Sequence, residues 1–388
     1  MRYPCMDGHH FILAVVLLCA GCSGEGGIGG GSATTATGVL KDANVSGLSY
    51  RSGEEEGETG VDGSFTYEVG RDVTFSIGDL IVGTAPGQGV ITPVDFVQGG
   101  GVNSAAVLNI VRFLLWLDED AVPANGIEIT EELRERAEAT PSIWNPISFN
   151  VSDGVFNSEL DLLFFDMNIF RGPRSLPTST EARNHMTATL QCLRSGAFRG
   201  ALVGDDTGDM GVMIDAATGE LRGFASRNGS QALIELEGTS PVSLDQQAFF
   251  ISGDTNPVTS FMGRMPDPDS ITGAWQIAAA QQLDGTYQAE RIGGDAAAVY
   301  RFTATYEGAD SGIYTFDINA AGNVTGVAYS VEDDVLTTLS GTLDGNVSIT
   351  AETGNQLDIM ADVGLAAGTL TGFDTQGNTI TGSGCRLN

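Results

Sequence analysis

Lysine is all but missing from these 388 residues. Lys41 is the sole example, the other cationic side chains are arginine, and 18 cations face 50 carboxylates for a formal net charge of -32. So acidic a chain repels the phosphates of nucleic acid, which is excluded as a partner. Histidine is nearly as scarce. His9 and His10 precede the first apolar run, leaving His185 alone in the rest of the chain. One imidazole and a few cysteines do not make the usual zinc sites. A Ser-His-Asp arrangement would have that one histidine to draw on and no G-x-S-x-G elbow to present its serine. No P-loop occurs, and "GGIGGG" (26–31) does not follow a strand, so the phosphate-cradling motifs are absent too. Aromatic residues make up 7%, too few for the paired girdles of a transmembrane β-barrel. The apolar run "FILAVVLLCA" (11–20) is half of the roughly 20 residues a membrane-spanning helix needs.

What is present begins with that run. Its length suits the apolar core of a secretory signal. Its end, "LLCAGC", resembles a bacterial lipobox: Ala20 and Gly21 precede Cys22, with Cys19 where leucine is usual and Leu18 one position earlier. The resemblance implies cleavage before Cys22, whose sulfur then carries a diacyl lipid of the palmitate type. Ser23 resembles the sorting context for the outer membrane. The next stretch, "SGEGGIGGGSATTATG", has no core-forming residues and reads as a flexible tether. The expected segments are a lipoprotein signal peptide over 1–21 and a Gly/Ser tether over 22–38. Cleavage by ordinary signal peptidase, giving a secreted or periplasmic protein, is the alternative.

Cys5 and Cys19 fall in the leader, so Cys192 and Cys385 remain as an even pair. In an oxidising compartment they can join as a disulfide, the alternative being two separate buried thiols.

Gly is frequent at 53 residues against 12 Pro, and apolar residues reach 41%, a balance that favours β-hairpins over disorder. Residues 39–102 alternate with period two, as in Phe65, Tyr67, Val69 and Val73, Phe75, Ile77, with turns such as "GVDGS" between, and predict a small antiparallel β domain. The run Gly57, Thr59, Gly63, Ser64, Phe65, Tyr67, Gly70, Val73, Phe75, Ile77, Gly78, continued by "ITPVDFV" (91–97), resembles the opening domain of uncharacterised bacterial surface lipoproteins. That resemblance implies a carboxypeptidase-regulatory or transthyretin-like sandwich acting as a spacer or binding module.

Residues 103–193 read as helical. Ser104 is a candidate N-cap for "AAVLNIVRFLLWL", Thr130 precedes Glu131 and Glu132 in a first turn, "NSELDLLFFDM" (157–167) is a third helix, and Thr178 with Glu181 has capping-box spacing. His185 borders the apolar stripe of that last helix.

Residues 194–388 return to β and contain an internal repeat. Gly219, Gly223 and Gly238 match Gly322, Gly326 and Gly341 at an offset of 103, and Gly263 and Ile271 match Gly372 and Ile380 at 109. Two units follow, 194–293 and 294–388, each a small sandwich or barrel, or else one larger barrel made from both. Lipoproteins of the transferrin-binding type have a similar general look, without a shared motif. The fold class expected is therefore mainly β with an inserted helical segment: an N-terminal β-sandwich, central helices and two tandem small antiparallel β units.

Candidate sites are few. In "LDEDAVPANGIEI", Asp118, Asp120 and Asn125 offer hard oxygens for calcium and Gly126 permits a tight turn, but Ile129 stands where a twelfth-position glutamate belongs. The lipoproteins above carry a similar string after a helix; a turn capping that helix is the plainer reading. Asp205, Asp206 and Asp209 sit at a hairpin tip, where Asp and Gly are common without a ligand. Trp275 and Tyr287 could stack on a sugar or fill the core of the first unit. No catalytic residue stands out. The pattern predicts a non-enzymatic, lipid-anchored protein of the outer membrane, on its periplasmic or cell-surface face, that binds or adheres to an envelope glycan or protein. One alternative is an exported glycan-acting hydrolase with paired carboxylates, marked by an acid of raised pKa facing a second in a cleft. The other is a structural or assembly protein of the envelope, marked by an exposed apolar patch.

Overall fold

The computed structural model describes residues 33–388 except 230–232, 239–248, 254–258, 279–281, 296, 309–310, 331–334, 345–347, 354–357, 366 and 388. The leader, most of the tether and Cys22 lie outside the described residues. From Thr35 onward the chain forms one compact unit.

Its first part mixes short strands and helices. β1 (Thr35–Leu40), β2 (Val45–Ser46), β3 (Ser49–Ser52), β4 (Glu55–Glu58), β5 (Ser64–Glu68), β6 (Asp72–Ile77), β7 (Leu80–Pro86) and β8 (Val90–Ile91) precede α1 (Ala105–Leu117). β9 (Ile127–Glu128), α2 (Glu131–Ala139), α3 (Pro141–Trp144), α4 (Asp153–Glu159), α5 (Asp161–Arg171) and α6 (Ser179–Arg194) follow. The sheets run β4-β3-β6-β7 and β5-β1-β8, with β2 on β9. The period-two faces turn inward: Phe65, Tyr67, Val73, Phe75 and Ile77 are buried, and Phe65 meets Phe75 edge-on at 5.1 Å, whereas Val69 is exposed because β5 ends at Glu68 before it. The expected all-antiparallel pairing is corrected at two places, because β1–β8 and β2–β9 are parallel. Parallel neighbours need a long crossover; here β2 to β7 separate the first pair, and β3 to β8 with α1 the second.

One apolar core runs through strands and helices alike, from Leu40 to Leu190. Its axis is α1, on which every residue from Ala106 to Leu117 is buried, Asn109 and Arg112 included, so the helix is covered on all sides rather than striped. Ser104 occupies the N-cap position of α1 but makes no side-chain cap bond. Its C-terminus is closed by arginine. Arg171 donates to the carbonyls of Trp116 and Leu117, and Arg174 to those of Asp118 and Glu119. These are the carbonyls a helix end leaves unpaired, and cations are favoured there. Thr130 caps α2, and Thr178 and Glu181 form a complete capping box on α6. The third expected helix is two helices meeting at Leu160, α4 and α5.

The C-terminal half is a pair of closed eight-stranded antiparallel barrels. The first holds β10 (Gly196–Gly204), β11 (Gly208–Ile214), β12 (Leu221–Arg227), β13 (Leu233–Gly238), β14 (Phe249–Gly253), β15 (Thr259–Asp267), β16 (Ser270–Ile277) and β17 (Leu283–Ile292). The second holds β18 (Ala298–Glu307), β19 (Ser311–Asn319), β20 (Asn323–Ser330), β21 (Val335–Asp344), β22 (Ser348–Thr353), β23 (Asp358–Gly364), β24 (Thr369–Asp374) and β25 (Thr379–Arg386). Closure comes from first pairing with last, β10 with β17 and β18 with β25. Both interiors are filled, mainly by apolar side chains: Phe198, Val212, Phe261 and Trp275 in one and Phe302, Tyr314, Phe316 and Leu370 in the other. Eight strands leave an interior just wide enough for side chains. An apolar inside is also the reverse of a transmembrane barrel, whose lumen is polar.

The repeat is real, but one of its two registers is corrected. At offset 103, Gly223 and Gly326 both lie on the third strand of their barrels. At offset 109, Gly263 on the sixth strand is matched to Gly372 on the seventh. Successive up-and-down hairpins share turn chemistry, so a one-strand slip preserves the local match.

Candidate functional site

His185, Cys192 and Cys385 meet at a joint between the first part and the barrels. α6 presents His185, Ala188, Thr189 and Cys192 on one face, at the spacing that aligns side chains along a helix. With Ala43, Pro123 and Ala124 they line a cavity of about 330 Å³, closed on its far side by Cys385, Arg386 and Leu387. Cys192 is bonded to Cys385, with Cα atoms 5.7 Å apart, so the last strand of the second barrel is tied to α6. The lone lysine adds a second tie: Lys41 Nζ donates to the carbonyl of Leu387 at 2.9 Å and to Asn44 Oδ1. Burial pulls this ammonium down to about 8, despite the opposing charge of Asp62.

His185 is paired rather than free. Its Nε2 lies 3.2 Å from Oδ1 of Asp42, which is fully buried. Neither Asp42 oxygen has a hydrogen-bond partner, so His185, when protonated, is the charge that offsets it. Burial works to lower the His185 pKa, but the charge of Asp42, helped by that of Asp118, outweighs it and the pKa is raised. Sequence reasoning missed Asp42. It is one aspartate among many, and only the tertiary fold of "KDAN" against α6 marks it.

The three oxygen donors weighed for calcium do not converge as they stand. Asp118 Oδ1 accepts from the Glu128 N–H at 3.0 Å, and its Oδ2 is buried without a partner. Burial, then the neighbouring Asp120 charge, raises its pKa. Asp120 accepts from the Val122 N–H and from Asn125 Nδ2, both at 2.8 Å. Asp120 and Asn125 therefore staple their own loop, and calcium would have to part them. Gly126 takes φ +110°, where a side chain would be strained. Among the described residues, no group of three His, Cys, Asp or Glu side chains is placed to hold a metal ion.

Trp275 and Tyr287 both lie inside the first barrel, the tyrosine ring 5.6 Å from Phe261, and neither polar atom has a hydrogen-bond partner. A sugar would have to enter the barrel to touch them. The first barrel's hairpin aspartates are likewise engaged locally. Asp206 pairs with Arg227 at 2.7 Å, and Asp205 accepts from the Asp284 N–H at 3.2 Å.

Between the barrels lies a polar cleft of about 420 Å³. Asp215, Thr218, Glu220 and Arg222 of the first face Thr305, Thr379, Thr381 and Ser383 of the second. Its walls are fixed by direct bonds: the N–H groups of Ala216 and Ala217 donate to Thr303 Oγ1 and Ser383 Oγ, each at 3.0 Å.

No protein-family model matches the chain, and no curated protein does. Among solved structures it is similar to intact transferrin-binding protein B with its N and C lobes, at 9% identity over 47% of this chain and 67% of that one, with a TM-score of 0.16. It is also similar to a tryptophan-to-alanine mutant of the vaccine antigen transferrin-binding protein B from Haemophilus parasuis, at 8% identity over 47% and 66%, with a TM-score of 0.17. Superpositions this loose carry no argument about function.

Proposed function

We propose that this is an exported lipoprotein of the bacterial envelope, anchored through Cys22, whose two rigid barrels form a non-catalytic binding module for an envelope glycan or protein. The observation that carries the reading is the bond between Cys192 and Cys385, which closes a loop of nearly half the chain and is of the kind that forms and persists in oxidising compartments. The filled barrels support binding from outside. Ligand contacts then fall to loops and to the polar cleft between barrels, whose hydroxyls and carboxylates suit a sugar or a polar peptide. The hydrolase reading has less support. Asp118, the carboxyl with a raised pKa, is buried and is not among the residues lining the cavity beside it.

The test is fractionation and intact mass of the chain from its native membrane beside a Cys22→Ala variant. A diacylated Cys22 at the N-terminus, with the variant released to the soluble fraction, is the expected result. An unlipidated chain starting elsewhere would contradict the anchor.

A further inference from the structure

Helix α5 is apolar on two opposite sides. Leu163 and Met167 enter the core of the first part, and Asp166 between them is held by Arg136 Nε at 2.9 Å. The outer side carries Leu162, Phe165 and Ile169, which are 65%, 70% and 70% exposed, with Phe170 beside them at 40%. Positions i, i+3 and i+7 align on a helix, so these side chains make one continuous stripe. An exposed apolar stripe of this kind, opposite the face that enters the core, is expected to be covered.

Two occupants fit such a stripe. A second copy of the chain is the poorer one, because a stable interface buries about 800 Å² per partner, more than four side chains on an 11-residue helix supply. A lipid surface needs less area, and the chain's own end argues for it. The stretch from Cys22 to Thr35 reaches no further than about 45 Å even when fully extended. Thr35 opens β1, the first strand of the first part. A chain anchored at Cys22 therefore keeps the first part, α5 included, within tether reach of the bilayer. The tether makes the contact intramolecular, so a weak contact is enough. A net charge of -32 favours a zwitterionic surface over an anionic one.

We propose that the outer face of α5 seats on a zwitterionic lipid surface, with Leu162, Phe165 and Ile169 entering the headgroup boundary as the apolar face of an interfacial helix does. This rests on the lipid-anchor reading and adds an orientation to it: the first part lies on the membrane by a defined face and sets the direction of both barrels.

The test replaces the lipid by a neutral tether, so that it does not depend on Cys22. The chain from Ser23, with an N-terminal hexahistidine tag, is held on phosphatidylcholine vesicles that contain a nickel-chelating lipid. Phe165→Trp adds an emitter at the stripe, and Phe373→Trp adds one at an exposed site on the second barrel. With brominated phosphatidylcholine, the added emission of Phe165→Trp should fall about two-fold or more, as expected for a ring at the headgroup boundary, and that of Phe373→Trp should not. Adding Leu162→Gln and Ile169→Gln should restore it. Equal quenching at both sites, or none at Phe165→Trp in the bound chain, overturns the proposal. So does a dimer in sedimentation that Phe165→Gln abolishes, which would give the stripe to a second copy. An unlipidated native Cys22 would sink the anchor and leave this measurement readable.

Discussion

The two barrels share strand order and closure but spend equivalent outer positions differently. In the first, inward-facing Phe198 and Val212 stand opposite each other, and the next pair along, Ala197 and Met213, faces out and packs on Ile313 and Tyr329 of the second barrel. In the second, Phe302 stands opposite Phe316, and the next pair is Arg301 and Asp317, a buried bidentate ion pair at 2.8 Å. Arg301 also donates to the carbonyl of Ser195, the residue joining α6 to the first barrel, at 3.3 Å. Arg291 of the first barrel grips the same carbonyl and that of Leu193, its pKa lowered to about 10 by burial first and by Arg301 next. The equivalent outer pairs have thus diverged: Ala197 and Met213 make an apolar contact with the other barrel, whereas Arg301 and Asp317 form an ion pair that holds the linker. Gly293 and Gly294, both at positive φ, make the reversal between them. The interiors differ as well. In the second, Tyr314 Oη donates to Asp374, which also accepts from Asn378; in the first, Tyr287 Oη has no partner.

The largest effect should come from Asp317→Ala. It leaves Arg301 buried without its carboxylate, and urea unfolding should show a loss of about 3–5 kcal/mol. Met213→Ala, at the corresponding outer position of the first barrel, should cost about 2–4 kcal/mol through a cavity. If Asp317→Ala proves the milder of the two, the contrast between charged and apolar docking fails. Next is the tie at β25. Cys385→Ser should lower stability by about 2–4 kcal/mol, and hydrogen exchange should locate the loss in the second barrel rather than the first.

How far the sequence reveals this can be judged residue by residue. Thr178, Glu181 and Thr130 announce their helices because capping is local, within four residues. The hairpins of the barrels are legible for the same reason. Closure is not, because β10 meets β17 and β18 meets β25 across most of a unit with no local signal. Period two fits a sandwich equally well. His185 is legible as a buried-edge histidine, while its partner Asp42 comes from a turn more than a hundred residues away. Cys192 and Cys385 stand out by parity alone. The docking pairs are hidden because Ala197 and Met213 look like ordinary strand residues, and Arg301 and Asp317 look like exposed ones.

A smaller effect separates the two interiors. Tyr314→Phe should cost about 1 kcal/mol, the worth of one buried hydrogen bond, whereas Tyr287→Phe should be neutral or stabilising because its hydroxyl is buried unpaired. Equal losses from the two would show that the first interior holds a partner for Tyr287. The smallest effect is that of pH. The folded pKa of His185 is raised above 6.5, so the pairing with Asp42 contributes fully below about pH 6.5 and is lost as pH rises through the folded value. Thermal melts from pH 5 to 8 should show that decline in the natural chain and a flatter profile in His185→Gln.

The central claim is that this chain folds in an oxidising compartment with its end tied back to α6. It is tested most directly by peptide mapping, without reduction, of protein taken from its native cells with free thiols blocked at lysis. The account predicts a linked pair of peptides containing Cys192 and Cys385 and no blocked thiol at either position. Two blocked thiols would contradict it, and with it the export on which the proposed function stands.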